Sequence, residues 1–300
     1  MPAALTLGPI LYHWSAEEKL DFYARIADEA PVDAVYVGEV ICSKRAPFFE
    51  HELPATIERL QRGGKQVVLS SLAEVILKRE RAMTAALFEA QDHEVEINNN
   101  AGLYHAGGKP HRIGPLLNVY NDRTLRFLAA KGATHFTLPT ELPRQAVRLL
   151  TAAATDVGAG IEVQVFGRAS LALSAHCYHA RAYGRTRDNC QFVCETHPDG
   201  MPLKTLAGQD FLAINGIQTL SQSYLNLADR IEELQEFGVG HFRLMPQRVD
   251  MVAVANIFAA RIHGSIGAGE AEAKLLALKL PAPFANGFWH GVAGERRVMP

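Results

Sequence analysis

The chain has 300 residues, 48% hydrophobic and 21% charged, which is enough to bury a sizeable core and excludes disorder or a collagen-like repeat. Thirty Lys and Arg against 32 Asp and Glu leave a net charge of −2, so no global basic field attracts nucleic-acid phosphates and no nucleic acid is expected as a partner. No apolar run approaches the ~20 residues that span a bilayer, and Met1-Pro-Ala-Ala-Leu lacks the basic and apolar regions of a signal peptide, so no transmembrane segment and a cytoplasmic location are expected.

Eight short β-branched runs follow one another at residues 5–11, 34–39, 66–71, 95–99, 111–117, 135–139, 161–167 and 241–246. Between them, amphipathic helical patterns cover 16–29, 53–62, 72–90, 122–131 and 144–155, and Gly63-Gly64, Gly132 and Gly238 each stop a helix just before a strand. Most strand-to-strand intervals have the length of a strand, a helix and two short loops. The fourth interval is too short for a full helix, and the seventh is far too long. This pattern predicts an α/β fold, a (β/α)8 TIM-like barrel with a cysteine-bearing insertion between strands 7 and 8. An open doubly wound sheet is the alternative, because strand order is not readable from sequence, but Gly8-Pro9-Ile10 is no dinucleotide-binding fingerprint.

The long interval, an insertion at about 168–222, carries a weak extra strand at 211–217 and is followed by a helix at 224–237. One barrel domain is expected over 1–280. The Pro/Gly-rich tail 281–300, with Phe288 and Trp289 as anchors, reads as a loop packed on the barrel. Those two aromatics and the apolar helix 252–262 also supply a surface that a partner chain could cover.

Cys177-x12-Cys190-x3-Cys194 forms a compact triplet in the insertion, and Cys42 lies three residues beyond Glu39 after the second strand. In a barrel both loops open on the C-terminal face, where barrel enzymes carry their sites. Four cysteines converging in a reducing compartment read as a metal centre, either zinc or an iron–sulfur cluster; the x12 spacing and distant fourth cysteine suit the larger group, while zinc sites favour paired knuckles. Four unrelated buried thiols are the bland alternative. His176 and His179 flank Cys177 and read as supporting or surface residues rather than ligands. No cysteine opens a recognisable helix with a paired His, so a thiolate nucleophile has little support.

The stretch Glu162-Val-Gln-Val-Phe-Gly-Arg-Ala-Ser-Leu-Ala-Leu-Ser-Ala-His-Cys resembles the signature of the collagenase-like, peptidase-type family, in which Glu-x4-Gly precedes a cysteine-bearing loop. The Glu39-x2-Cys42-Ser-Lys-Arg45 motif and the cysteine triplet, together with Leu7-Gly-Pro-Ile-Leu-Tyr-His-Trp and Leu212-Ala-Ile-Asn-Gly-Ile-Gln-Thr, resemble its ubiquinone-biosynthesis (UbiU/UbiV) branch over nearly the whole length. The resemblance implies a [4Fe-4S] cluster on Cys42, Cys177, Cys190 and Cys194 and a UbiU-like paralogue as heterodimer partner. It further implies O2-independent hydroxylation of a ubiquinone precursor with prephenate as oxygen donor. A Cys-x4-Gly-x-Cys block of the broader family is missing after Gly167, where Arg168-Ala-Ser-Leu-Ala-Leu stands, and peptidase activity is not expected.

Other polar residues carry paired readings. Glu39 and Glu141 follow strands 2 and 6 at the barrel mouth and are candidates for proton transfer, though Glu39 would equally order the Cys42 loop. Lys44 and Arg45 would offset a thiolate cluster or bind a dicarboxylate, and Arg243 within the eighth strand must be paired or face the site. Asn118 and Asn121 around Tyr120 read as caps of the helix that starts near Asp122, with hydrogen bonding to a substrate as the alternative, and Asn98, Asn99 and Asn100 as turn formers. Two further functions stay open: a prephenate-dependent RNA hydroxylase, which the net charge of −2 disfavours, and a non-catalytic cluster-bearing subunit.

Overall fold

The computed structural model describes residues 3–89 and 92–299. Strands β1 (Ala4–Leu7), β2 (Ala34–Val37), β3 (Gln66–Ser70), β4 (Glu94–Ile97), β5 (His111–Ile113), β6 (Ala133–Thr137) and β7 (Gly160–Leu173) pair in order, all parallel. After β8 (Met201–Lys204), β9 (Asp210–Asn215) and β10 (Gln218–Asn226), strand β11 (His241–Leu244) pairs in parallel with both β7 and β1. That double pairing closes an eight-stranded barrel, so the choice between barrel and open sheet falls to the barrel.

Helices α1 (Ala16–Glu29), α2 (Leu53–Arg62), α3 (Lys78–Ala86), α4 (Asn100–Ala106), α5 (Asp122–Ala129) and α6 (Arg144–Asp156) fill the crossovers. The fourth interval does hold a helix, the seven-residue α4, which Asn99 caps by accepting the Gly102 N–H. Local capping sets several starts: Ser15 and Glu18 form a capping box on α1, and Asn121 accepts the Thr124 N–H on α5. Leu5, Leu7, Val35, Val37, Phe242 and Leu244 point outward to this helical layer and form one core with it.

Three expectations change. The helix expected at 72–90 begins only at Lys78, because the segment before it is held against the loop after β2, with Ala73 N–H on the Val40 carbonyl; its last residue, Ala90, lies outside the described residues. The helix expected at 224–237 is strand up to Asn226, since Tyr224 and Leu225 pair with β7 and with β12 (Phe284–Ala285). Only α8 (Ile231–Phe237) is α-helical there. The surface suggested for a partner is used within the chain. Helix α9 (Met251–Ile262) is largely buried, and Trp289 stacks on Phe237 while its carbonyl accepts the Arg144 N–H. The insertion adds α7 (Tyr178–Ala182), and α10 (Ala268–Ala277) precedes the tail. Among the described residues no helix is long and apolar enough to cross a membrane.

The barrel interior is polar. Arg243, 1% exposed, pairs through Nη2 with Glu96 Oε1 at 2.6 Å and Glu162 Oε2 at 2.5 Å, and its guanidinium lies 3.9 Å from the Tyr36 ring centroid. Glu162 also accepts from the hydroxyls of Thr6, Tyr36 and Thr137, while Glu96 accepts from Ser70. Arg112 donates to the Tyr36 hydroxyl at 2.8 Å and pairs with Glu94. Ion pairs in so dry a place offset their desolvation only while every partner is present.

Arg243→Met should therefore destabilise the fold by about 3–5 kcal/mol in urea titration, because it leaves two buried carboxylates facing each other; a loss under about 1 kcal/mol would contradict this. Burial raises the pKa of Glu162, but Arg243 and the Thr137 and Thr6 hydroxyls outweigh it and hold the carboxyl down at about 2 against an ordinary 4.5. A depressed folded value stabilises above the ordinary one, so this contribution should be complete above pH 4.5 and fade toward pH 2, with Glu162→Gln flattening that limb of the acid-unfolding curve.

Candidate functional site

The C-terminal strand ends open on a cavity of about 200 Å³ whose floor is Glu96 and Arg243 and whose walls include Asn98, Thr140, Gln164 and Arg168. Strand β7 makes one wall by overrunning the barrel and pairing antiparallel with β10. Gly167 permits that departure: its φ is +107°, and a Cβ there would lie 2.8 Å from Met245 Cβ. Glu141 sits at the rim and accepts from the Tyr120 hydroxyl. Asn118, at φ +58°, closes the 3-10 turn Pro115–Leu117 after β5 and lines this cavity but does not cap α5, whereas Asn121 does.

Beside the mouth lies a second, tighter cavity lined by all four cysteines together with Lys44, Arg45 and Arg187. Gly38, at φ +129° and with room for no Cβ against the Ser70 carbonyl, turns the chain out of β2; Glu39 then accepts the N–H groups of Ile41 and Cys42 and shapes the Cys42 loop. Glu39 is absent from the lining of the mouth, so the structure gives it loop-ordering bonds and no place among the mouth residues. Cys177 does open a helix, as the N-cap of the five-residue α7, with its sulfur accepting from the Ala180 N–H at 3.4 Å. His176 is exposed, and buried His179 meets His197 at 3.0 Å on the cavity wall.

Cations surround the thiols. Arg45, 1% exposed, donates to the Leu11 carbonyl and to Asn215 Oδ1, each at 3.0 Å. Lys44 Nζ donates to the Arg187 carbonyl at 2.8 Å and stands 3.6 Å from Cys190 Sγ. Both residues thus face the thiols and lie outside the mouth lining. Burial pushes the Cys42, Cys177 and Cys194 thiols up; Arg45 is the main opposing pull on Cys42 and Cys194, and the Ala180 N–H on Cys177. Metal-free, Cys42, Cys177 and Cys194 are therefore held toward the thiol form, and ligation would release their protons.

A buried carboxylate ties the two cysteine loops together. Glu80, fully buried, accepts from Ser43 Oγ at 2.7 Å, from the N–H groups of Ile76 and Leu77, and from Arg187 at 3.3 Å, while Arg187 also pairs with Glu74 at 2.8 Å. Sequence reading missed Glu80 and Arg187, which sit in unremarkable polar stretches; their only signal is that Arg187 lies inside the Cys177–Cys190 span.

Among the described residues no three His, Cys, Asp or Glu side chains are grouped to hold a single metal ion. Four thiols spread around one cationic cavity match a wider, anionic group with thiolate ligands. Between this cavity and the mouth runs a thin apolar layer of Leu11, Val40, Ile41, Ile217 and Met245, against which Cys177 packs.

Compared with known proteins, the chain matches the sequence model of Peptidase family U32 over residues 22–265. Among solved structures it is similar to an uncharacterized B. cereus protein, at 11% identity and TM-score 0.42, covering 81% of this chain and 61% of that one; the chain thus spans about three fifths of that protein's length. It is also similar to the spore cortex-lytic enzyme SleL of Bacillus megaterium QM B1551, at 10% identity and TM-score 0.39, covering 81% and 70%.

Glu80→Ala should cost about 2–4 kcal/mol, because it leaves Ser43, two backbone N–H groups and Arg187 without their acceptor. Amide exchange should speed up at residues 41–45 and 186–188 together. Faster exchange in only one of the two loops would show that Glu80 does not couple them.

Proposed function

The chain belongs to Peptidase family U32, and from that premise we propose that it is the iron–sulfur, UbiV-like subunit of an O2-independent hydroxylation system in ubiquinone biosynthesis. In this reading it works as a heterodimer with a UbiU-like paralogue and uses prephenate as the oxygen donor for a ubiquinone precursor. The observation that carries the cofactor is the convergence of Cys42, Cys177, Cys190 and Cys194 on one cavity edged by Lys44, Arg45 and Arg187. Those four residues would hold a [4Fe-4S] cluster, which when bound supplies one-electron chemistry. Arg45 and Lys44 would balance its thiolate charge, and Glu80 with Arg187 would keep the ligand loops in register.

Hydrolysis is poorly served by the mouth. Its lining contains no histidine, lysine or cysteine among the described residues, and its carboxylates are engaged elsewhere, Glu96 by Arg243 and Glu141 by the Tyr120 hydroxyl, so the Thr140 and Ser170 hydroxyls have no dedicated base. The apolar layer favours a specific division of labour, in which small molecules occupy the mouth and the thiol-held group acts across Leu11, Ile217 and Met245 rather than on the bound molecule directly. A non-catalytic, cluster-bearing subunit is the second reading favoured by the same layer.

Purified without O2, the chain should be brown, with about four iron and four sulfide per molecule, and Ala at any one of the four cysteines should remove most of the iron. Colourless protein with stoichiometric zinc would reject the assignment. With the cluster reduced, its EPR signal should be unchanged by prephenate, since four thiolates and the apolar layer leave no iron open to it; a prephenate-dependent shift would show a labile ligand.

A further inference from the structure

Of the four thiols only Cys194 is buried, so whatever they hold lies close to the surface of the protein. The three segments that meet there, residues 39–45, 74–81 and 176–195, carry eight Lys and Arg against five Asp and Glu, in a chain whose net charge is −2. Two of those acids do little for the surface: Glu80 is fully buried, and Glu39 is occupied by the Ile41 and Cys42 N–H groups. Arg187 meets Glu74 and Glu80, whereas Lys44, Lys78, Arg79, Arg81, Arg181 and Arg185 meet no carboxylate among the described residues. Lys44 and Arg185 donate to carbonyls of the Cys190 loop, Arg79 to Ser43 Oγ and Arg81 to the Ile76 carbonyl, bonds that fix the side chains and leave their charge unbalanced.

Apolar side chains stand among these cations. Ile76 and Leu77 are 52% and 44% exposed immediately before Lys78, and Tyr178 and Tyr183 are exposed on α7, directly after Cys177. Phe48, exposed as well, packs edge-on at 4.7 Å against Phe192, which lies between Cys190 and Cys194. Apolar contact area among unpaired charges of one sign is the composition of a protein interface that selects an oppositely charged partner. A phosphate backbone fits less well. Glu74, Asp188 and Glu195 interrupt the cations, the local surplus is small against the roughly 6–10 phosphates that a nucleic-acid protein neutralises, and Ile76 and Leu77 offer no ring for a base to stack on.

We infer that this face docks a small acidic one-electron carrier protein, which reaches the thiol cavity from outside and leaves the barrel mouth free. The inference names a partner that the proposed function lacks, and it rests on that reading for the group held by the thiols. The reduced carrier gives one electron to that group and departs oxidised, and no bond forms or breaks. A carrier that must leave after each electron needs a small interface held largely by charge, so the contact is weak and sensitive to salt.

Isothermal titration of the full chain, purified without O2, with a plant-type [2Fe-2S] ferredoxin and with a flavodoxin, both strongly acidic, tests it. At least one should bind, and about tenfold more weakly when salt is raised from about 50 to about 300 mM. Lys78→Glu combined with Arg81→Glu should weaken binding about tenfold, or about 1.4 kcal/mol, and Arg181→Glu alone about threefold. Arg148→Glu on α6, outside this face, should change nothing; all four side chains are exposed, so the variants should melt as the parent does. No binding by either carrier, binding indifferent to salt, or an equal loss in Arg148→Glu would overturn the inference. So would a single-stranded oligoribonucleotide that binds more tightly than either carrier and is lost in the same variants, or loss of carrier binding once the UbiU-like paralogue is bound, which would make the face a subunit contact. Iron measured on the same samples separates this inference from the cluster: a brown chain that neither carrier binds keeps the cluster and sinks the docking face, and a colourless chain that binds a carrier with this charge dependence does the reverse.

Discussion

Arg243 stands in the middle of the barrel with a carboxylate on either hand, and the bonds that satisfy those carboxylates reach every strand of the cylinder. Thr6 of β1, Tyr36 of β2, Thr137 of β6 and Glu162 of β7 form one side; Ser70 of β3 and Glu96 of β4 form the other; Arg112 of β5 joins through the Tyr36 hydroxyl, and Arg243 of β11 connects the halves. Barrels of this kind are usually filled by layers of branched aliphatic side chains. A polar filling has a different consequence. Aliphatic layers tolerate repacking, but a hydrogen-bonded ionic filling has one arrangement, because any lost partner leaves a charge in a medium that cannot solvate it. The register of all eight strands is thus tied to a single guanidinium, and that guanidinium is also the floor of the mouth.

The extension of β7 follows from the same geometry. The strand enters the barrel at Gly160, delivers Glu162 to Arg243, and must then leave the cylinder to pair with β10. Its exit is at Gly167, where a side chain would strike Met245 on the neighbouring strand's continuation. Arg168 follows at once and turns its guanidinium to the carbonyls of Ser221 and Gln222. One strand therefore supplies a structural charge, a steric hinge and a mouth-lining cation within its first nine residues, Gly160 to Arg168.

Strand positions are legible in the sequence because β-branched runs spaced by a helix length fit few arrangements besides a parallel sheet with crossover helices, and α1 and α2 match their periodic patterns end to end. The convergence of the four cysteines is legible only through the barrel, since nothing local connects Cys42 with Cys177. The polar interior is hidden for a different reason. Thr6, Tyr36, Glu96 and Thr137 each alternate with apolar neighbours, the pattern of a strand with one solvated face, and only closure turns that face inward. Arg243 alone stands out in its run. The segment around Asn226 reads as helix because Tyr224, Leu227, Ile231 and Leu234 follow the 3/4 spacing of a helical stripe; pairing to β7 and β12, which no local pattern encodes, decides it. Glu80 is invisible because a helix-start glutamate is commonplace, and its burial under Ser43 and Arg187 is a tertiary fact.

The two cavities are not independent, and Leu11 shows why. Its side chain lines the mouth and belongs to the apolar layer, while its carbonyl accepts from Arg45 at 3.0 Å and from Asn215 at 2.8 Å on the thiol side. Arg45 is the cation on which the thiol cavity's charge balance rests, and Asn215 in turn donates to Gln218, a residue of the mouth lining. A change of charge among the thiols must alter the pull on Arg45, and Arg45 cannot move without releasing the Leu11 carbonyl into a buried space that holds no substitute but Asn215. Leu11, Val40 and Met245 of the same layer line the mouth, and Ile217 lines the thiol cavity. The thiol cavity and the mouth therefore share Leu11 as a common wall, whose side chain separates the two occupants while its carbonyl anchors Arg45.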